Sequence, residues 1–306
     1  MKYSKEYIEK IYNEDYIGGN GIMRNISKKY NIDIPRWFKK YGLKIISYSE
    51  ALERRRKKVY GSEILKDFSV LDKNMVYILG LIYADGWISD VPNKHLGIKL
   101  KASDSYILDM IKNYISSGVR LRTEKTSKKL VISSKKVFDN LVKLGLEQNK
   151  TSKKMVLPSL PKELLSHFIR GLFDGDGSIF RDGERITFNI CSPDREFLEE
   201  IKLLFENVGI YSNINTEVRK GKTIIVPQGT TIAKFDMHRL FIRREVEIQK
   251  IYCYLYKDCD EFFLIRKKSV FDKYFAELPK SKFIKENWKQ EDYDSIFNGS
   301  YFLQKQ

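Results

Sequence analysis

Two spacings of apolar residues run along this chain, one near 3.6 that predicts helices and one of 2 that predicts half-buried strands. The first 45 residues read as three short helices: Lys5 to Asn13 with Ser4 as its cap, Gly21 to Tyr30, and Ile34 to Tyr41. The third is the best punctuated, with Asp33 at the N-cap, Pro35 in the first turn and Gly42 past the end. Its Trp37 and Tyr41 are expected to pack inward. From Leu71 the periodicity switches from helical to alternating and back, twice over, predicting helix, two strands, helix, two strands, helix in each half. That is an α+β layer with helices on one side of an antiparallel sheet and polar side chains on the other.

Alternation assigns the outward faces. Lys99 and Lys101 alternate with Ile98 and Leu100, and Arg120 and Arg122 with Val119 and Leu121. In the second half Arg185, Thr187 and Asn189 alternate with Ile186, Phe188 and Ile190, and Asn213, Asn215 and Arg219 surround Ile214 and Val218. The halves repeat: ILGLIYADG (Ile78 to Gly86) and IRGLFDGDG (Ile169 to Gly177) match in register 91 residues apart. Ser103-Asp104 and Ser192-Pro193-Asp194 open corresponding helices, which marks an internal duplication. The expected organisation is a helical domain at 1–45, a basic linker at 46–71, one repeat at 72–150, a second at 151–265 and a C-terminal helical tail at 266–306. Pro158 and Pro161 mark the link between repeats.

Charge changes the picture. Fifty-six Lys and Arg against 40 Asp and Glu leave +16, which points to a polyanionic partner. Half of the excess lies in the first 60 residues, where 15 basic residues face seven acidic ones. The run Arg54-Arg55-Arg56-Lys57-Lys58 is either a solvated helix face or a phosphate-tracking segment. Three cysteines without a C-x-x-C pair suggest neither a disulfide framework nor structural zinc, and fit a reducing, cytoplasmic setting. The charged N-terminus has no signal-like apolar core and no stretch is apolar enough to span a bilayer, so no membrane partner is expected. His95, His167 and His238 lack metal-ligand spacing.

The chemistry lies in the repeated segment. Gly80 and Ala84, like Gly171 and Gly175, are spaced i, i+4, giving each helix a strip of small residues that lets two helices approach closely. Asp85-Gly86 and Asp176-Gly177 follow, with glycine suited to a left-handed helix end. Each carboxylate then sits at a helix C-terminus, where the dipole is already negative. If the helices pair, only a cation resolves the cluster, and hard oxygen ligands select Mg2+ or a similar ion such as Mn2+.

These two segments resemble the paired motifs of the LAGLIDADG homing-endonuclease family, and the resemblance extends over about residues 72–265. It implies two pseudo-symmetric αββαββα repeats that form a saddle over DNA, with the motif helices as their interface. It implies Asp85 and Asp176 as catalytic metal ligands, with the carbonyls of Ala84 and Gly175 beside them. Tyr83 stands where an earlier acid is kept as Asp174 in the second copy, a position that is generally not catalytic. Basic residues near the end of a later strand correspond only approximately to Lys135 and Arg243, with Lys136 and Arg244 as rivals.

The implied partner is double-stranded DNA with a long asymmetric target, bound by a monomer and cut site-specifically with divalent metal. A non-catalytic DNA-binding regulator, or a maturase bound to intron RNA, would use the same saddle. Candidate DNA contacts on the strands are Lys99, Lys101, Arg120, Arg122, Arg181, Arg185, Asn189, Asn213, Asn215, Arg219 and Lys222, since Arg pairs with guanine and Asn with adenine. Arg36, Lys39 and Lys40 on the third helix resemble the reading face of a helix-turn-helix. No splicing residues flank the repeats, so an intein is not expected.

Overall fold

The structure is a computed structural model that describes residues 3–16, 20–46, 50, 65–91, 93–116, 119, 121–148, 154–226 and 229–278. Arg120, the run 54–58 and the chain after 278 lie outside them. Two units separate, Met1–Lys66 with Lys112–Arg120, and Asp67–Ile111 with Leu121–Gln306. In the first, helices α1 (Lys5–Glu14), α2 (Asn20–Tyr30) and α3 (Ile34–Lys40) enclose Ile8, Ile11, Ile26, Ile34 and Phe38. Ser4 and Asp33 cap α1 and α3 through side-chain oxygens, as their positions in sequence predict. The fully buried residues of α3 are Ile34 and Phe38, three positions before the expected pair Trp37 and Tyr41. Trp37 is half-buried, edge-on to Tyr3, and Tyr41 lies at the same margin.

The second unit holds the repeat. Its first half runs α4 (Lys73–Asp85), β1 (Gly86–Ser89), β2 (His95–Lys101), α5 (Tyr106–Ile115), β3 (Leu121–Thr123), β4 (Ser127–Ser133) and α6 (Lys135–Lys143). Its second runs α7 (Leu165–Asp176), β5 (Gly177–Asp182), β6 (Arg185–Ser192), α8 (Arg195–Asn207), β7 (Asn213–Glu217), β8 (Thr223–Val226), β9 (Gly229–Ile232), β10 (Met237–Ile242) and α9 (Glu245–Tyr256). Sheet order is β1-β2-β4-β3 in one half and β5-β6-β10-β7 in the other, the same topology once the separate β8-β9 hairpin is set aside. Leu96, Ile98, Leu130 and Ile132 in one sheet, and Ile186, Phe188, Ile190 and Leu240 in the other, are fully withdrawn from solvent under the helices. No helix among the described residues is long and apolar enough to cross a membrane.

The two motif helices touch backbone to backbone, and the contact is reciprocal. A methyl group on Gly80 would lie 2.0 Å from the Phe168 carbonyl oxygen and 2.9 Å from Leu172 N. One on Gly171 would lie 2.0 Å from the Tyr77 oxygen and 2.8 Å from Leu81 N. Each pair maps onto the other by the 91-residue offset of the repeat, so the duplication is a local twofold. The glycines ending the helices behave differently from the sequence expectation. Gly86 and Gly177 have φ of −93° and −88°, extended rather than left-handed. They open β1 and β5, and a side chain there would strike Ile82 or Phe173 of the preceding turn.

A final helix, α10 (Ile265–Glu277), is packed into this unit. Arg266 forks onto both oxygens of Asp104, and Ile265 N donates to the Tyr106 hydroxyl, so its first turn is fastened to the first half. The buried Arg170 donates to the carbonyls of Leu255 and Phe262 and pairs with His167, whose pKa burial pulls down to about 4. Asp174, 1% exposed, accepts from the Tyr77 hydroxyl and Leu264 N, each at 2.8 Å. Lys267 Nζ enters the end of α7 and donates to the carbonyls of Phe173, Asp174 and Gly177 at 2.5, 2.8 and 2.5 Å.

Gly80→Ala and Gly171→Ala are expected to lose about 2 kcal/mol or more, despite the roughly 1 kcal/mol of helix propensity that alanine gains. Because both push the same two backbones apart, the double variant should cost less than the sum, read from urea midpoints. Lys267→Met leaves three inward-facing carbonyls without their donor and should cost about 3 kcal/mol. A stability within about 0.5 kcal/mol of the parent, on the order of a neutral surface change, would exclude that role.

Candidate metal centre and nucleic-acid face

Asp72 begins α4 by accepting from Asn74 N and Met75 N, and thirteen residues later the helix ends on Asp85. α7 ends on Asp176. Gly175 brings the two ends together: a methyl on it would lie 2.2 Å from the Ala84 methyl and 3.1 Å from Asp85 Oδ2. Asp85 is half-buried and Asp176 exposed, so this paired tip opens to solvent. Two carboxylates at adjoining helix C-termini oppose both each other and the helix dipoles.

Lys267 relieves part of that strain. Its ammonium occupies the carbonyl end of α7, directly behind Asp176, and burial draws its pKa down to about 8, so it is still mainly cationic at neutral pH. Sequence reasoning passes over it, because its neighbours lie about 90 residues earlier in the chain. The site's donor set is hard oxygen: the carboxylates of Asp85 and Asp176, with the carbonyls of Ala84 and Gly175 on the same turns. No group of three or more His, Cys, Asp or Glu side chains gathers among the described residues. Two carboxylates completed by carbonyl, water and phosphate oxygens suit Mg2+-like ions, which retain several non-protein ligands.

The earlier acid position is structural in both copies. Asp174 is sealed in the interior, where burial pushes its pKa up to about 6. Tyr83 donates to the Leu144 carbonyl and packs edge-on to Phe168. Lys135 and Arg243 are not brought to the acids. Gly86 aligns with Ile98 and Leu130, whereas Ser89 aligns with His95 and Ser133, so the chain beyond Ser133 is at the far end of the sheet. There Lys135 pairs with Asp139, while Lys136 pairs with Asp67. Arg243 follows β10 on the sheet's outer side, its guanidinium over Phe241; Arg244 precedes α9 as its N-cap.

The outer face of the first sheet is basic in register. Lys99, Lys129 and Arg122 form one row across β2, β4 and β3, with Glu124 paired to Lys99. Like charges directly opposite are unfavourable in a sheet, so the row is suited to an anion laid across it. Lys129, missed from sequence, also reaches over the Trp87 ring, which lies on Gly97. Lys101 is exposed on the same face. In the second sheet Cys191, Arg239 and Asn215 make one row, and Asn189, Phe241 and Asn213 the next. Asn213, Asn215 and Arg239 are exposed, and Arg239 is a further residue not singled out from sequence.

Two candidates are corrected. Arg181 pairs with Ile186, so it lies on the helix side of the sheet, where it forms an ion pair with Glu277 and meets Tyr274. Asn189 faces outward but is only 2% exposed, its Oδ1 accepting from Ser178 in the adjoining strand. Arg185 is exposed at the β5-β6 turn. Arg219 pairs with Glu217, and Lys222 is exposed at the base of the β8-β9 hairpin. In the N-terminal unit Arg36, Lys39 and Lys40 sit on α3, Arg36, Lys39 and Lys40 all being exposed and Lys40 lying over the Trp37 ring.

Residues 163–250 match the family described as LAGLIDADG-like domain. Among curated proteins, the chain is 25% identical over 184 residues to a probable translation initiation factor IF-2 of Methanocaldococcus jannaschii, covering 57% of this chain and 15% of that protein. It is 24% identical over 177 residues to the ribonucleoside-diphosphate reductase NrdEB subunit alpha of Bacillus subtilis, 52% of this chain and 16% of that one. The chain thus spans a small part of each relative's length. Similar solved structures include I-DmoI in complex with DNA and Ca, at 14% identity and a TM-score of 0.43 over 68% of this chain and 100% of that one. The meganuclease I-SmaMI bound to uncleaveable DNA is 11% identical with a TM-score of 0.45, over 65% of this chain and 88% of that one. The matched segment runs from the start of the motif helix α7 into α9, and so takes in Asp176 and the whole of the second sheet.

Proposed function

We propose that the chain is a site-specific endonuclease that cuts both strands of duplex DNA with the help of divalent metal, Mg2+ or Mn2+. The observation that carries this reading is the meeting of two duplicated carboxylates, Asp85 and Asp176, at helix ends whose backbones are in contact through Gly80, Gly171 and Gly175. Those two acids would hold the metal, with the carbonyls of Ala84 and Gly175. When bound, such an ion supplies an activated water and charge stabilisation at the phosphodiester. Lys267 sets a cation against the carbonyls at the end of α7, opposing the negative end of that helix's dipole. Duplex DNA has two antiparallel strands, and a twofold-related pair of acids offers one to each.

The cationic row on the first sheet, with Arg239, Asn213 and Asn215 on the second, supports a DNA partner, through phosphate contacts that fix register and Arg or Asn contacts that read bases. Both motif helices belong to one chain, which supports action as a monomer on an asymmetric target. That a similar segment lies within proteins of unrelated function supports a mobile module.

Asp85→Asn and Asp176→Asn are each expected to reduce double-strand cleavage about 100-fold or more, while binding to the same duplex in Ca2+ is retained. Cleavage of a plasmid library at the parent rate by either variant would remove these residues from the site. Binding without cutting by the parent, in Mg2+ and in Mn2+, would indicate a regulator, and preference for structured intron RNA a maturase. Replacing Arg36, Lys39 and Lys40 by Ala should flatten the plot of log affinity against log salt by about 0.9 per cation lost. An unchanged slope would take α3 out of the interface.

A further inference from the structure

The two halves differ most between their third and fourth sheet strands. In the first half three residues, 124–126, join β3 to β4, closed by Glu124 N donating to Ser127 O. In the second half residues 218–236 intervene and fold into the β8-β9 hairpin, which pairs only with itself. Its base is locked: Ala233 N donates to Lys222 O at 2.9 Å, and Asp236 Oδ1 accepts from Arg219 N and Lys220 N at 2.8 and 2.9 Å.

Strand register places this insertion at the cutting end of the sheet. Gly177, next after Asp176, aligns with Ile190, and His238 aligns with Ser192, so the chain entering β10 lies beside the start of β5. A half-open cleft of about 360 Å3 lies between them, lined by Ala84, Asp176, Arg219, Ile224, Lys234 and Phe235 among others. Pairing of Thr223 with Ile232 and of Ile225 with Thr230 sets both isoleucines on the opposite face from Ile224. Ile225 is 90% exposed and Ile232 65%, and Lys220, Lys222 and Lys234 around them are exposed as well. Ile225 and Ile232 thus form a small apolar patch on one face, rimmed by Lys220, Lys222 and Lys234, the arrangement of an interaction surface.

We infer that the β8-β9 hairpin is a one-sided DNA-reading element, which presses Ile225 and Ile232, on the face turned away from the Asp176 cleft, against the groove to that side of the cleavage centre. Its lysines hold the flanking phosphates. The inference rests on the nuclease reading and adds its asymmetry: the bases just to one side of the cleavage centre are recognised by a device that the first half lacks. Cationic surroundings and continuity with the basic sheet face select a nucleic acid as the occupant, and aliphatic side chains recognise thymine methyl groups or wedge a base step.

The test is selection from a randomised duplex library in Ca2+, with the full chain and with Ile225→Ser/Ile232→Ser, a pair whose exposure makes it neutral for folding. The parent should select a site with preferred bases through its centre. The variant should bind that site about tenfold more weakly and lose preference at positions on one side of the centre only. A second variant, with residues 223–232 replaced by Asn-Gly between the hydrogen-bonded Lys222 and Ala233, should lose the same positions. An unchanged selected site, or equal loss on both sides, overturns the hairpin's role and leaves the nuclease reading intact. Failure of the parent to select any duplex overturns both.

Discussion

The backbone contact between α4 and α7 governs the rest of the second unit. A methyl group at Gly80 or Gly171 would sit 2.0 Å from a carbonyl oxygen of the opposing helix, so no other residue permits this approach. The same closeness carries Gly175 against Ala84 and Asp85 one turn further on. It therefore forces two acidic side chains and two helix C-termini into one place. Packing creates the electrostatic problem; Lys267 answers part of it from within the protein, and the part left over is what makes the tip a candidate for holding a cation.

The protein's own share of that resolution is unequal. At the α7 end Lys267 takes three carbonyls, and Asp174, fully buried a turn's fraction away, adds a second charged group whose pKa burial has raised to about 6. Arg170 stands where the first copy has Leu79, and it draws the end of α9 and the chain after it onto α7 through the Leu255 and Phe262 carbonyls. One motif helix is thus an apolar core element, while its counterpart is threaded by an ionic cluster that fastens α10. The symmetry is kept where the helices touch and abandoned on their outer sides.

Legibility from sequence follows this division. The small-residue strip, the acid pair and the strand faces are local patterns, and Gly80, Asp85, Lys99 and Arg122 are readable from spacing. Arg181 fails for a reason of geometry. Asp182 pairs with Arg185 across a two-residue turn, so odd numbers in β5 share a face with even numbers in β6. Parity carried through the turn therefore assigns the wrong side. Asn189 has the right parity in an interior strand, where its neighbours cover it, and exposure cannot be counted from alternation alone. Lys267 and Arg239 depend on contacts between distant segments. Lys135 and Arg243 rest on analogy of position in the strand, and the register puts them elsewhere.

Asymmetry has a further consequence for how such a chain meets DNA. Two identical halves would present identical reading surfaces and suit a palindrome. Here one sheet offers Lys99, Lys129 and Arg122 in a row, a set dominated by charge, whereas the other offers Asn213, Asn215 and Arg239, whose amides and guanidinium carry directional hydrogen bonds. Lysine senses phosphate with little regard to sequence, and Asn and Arg distinguish adenine and guanine. On the proposed nuclease function, the first half would chiefly hold the DNA and the second chiefly read it, so sequence discrimination would weigh on the side of the target that the second sheet covers.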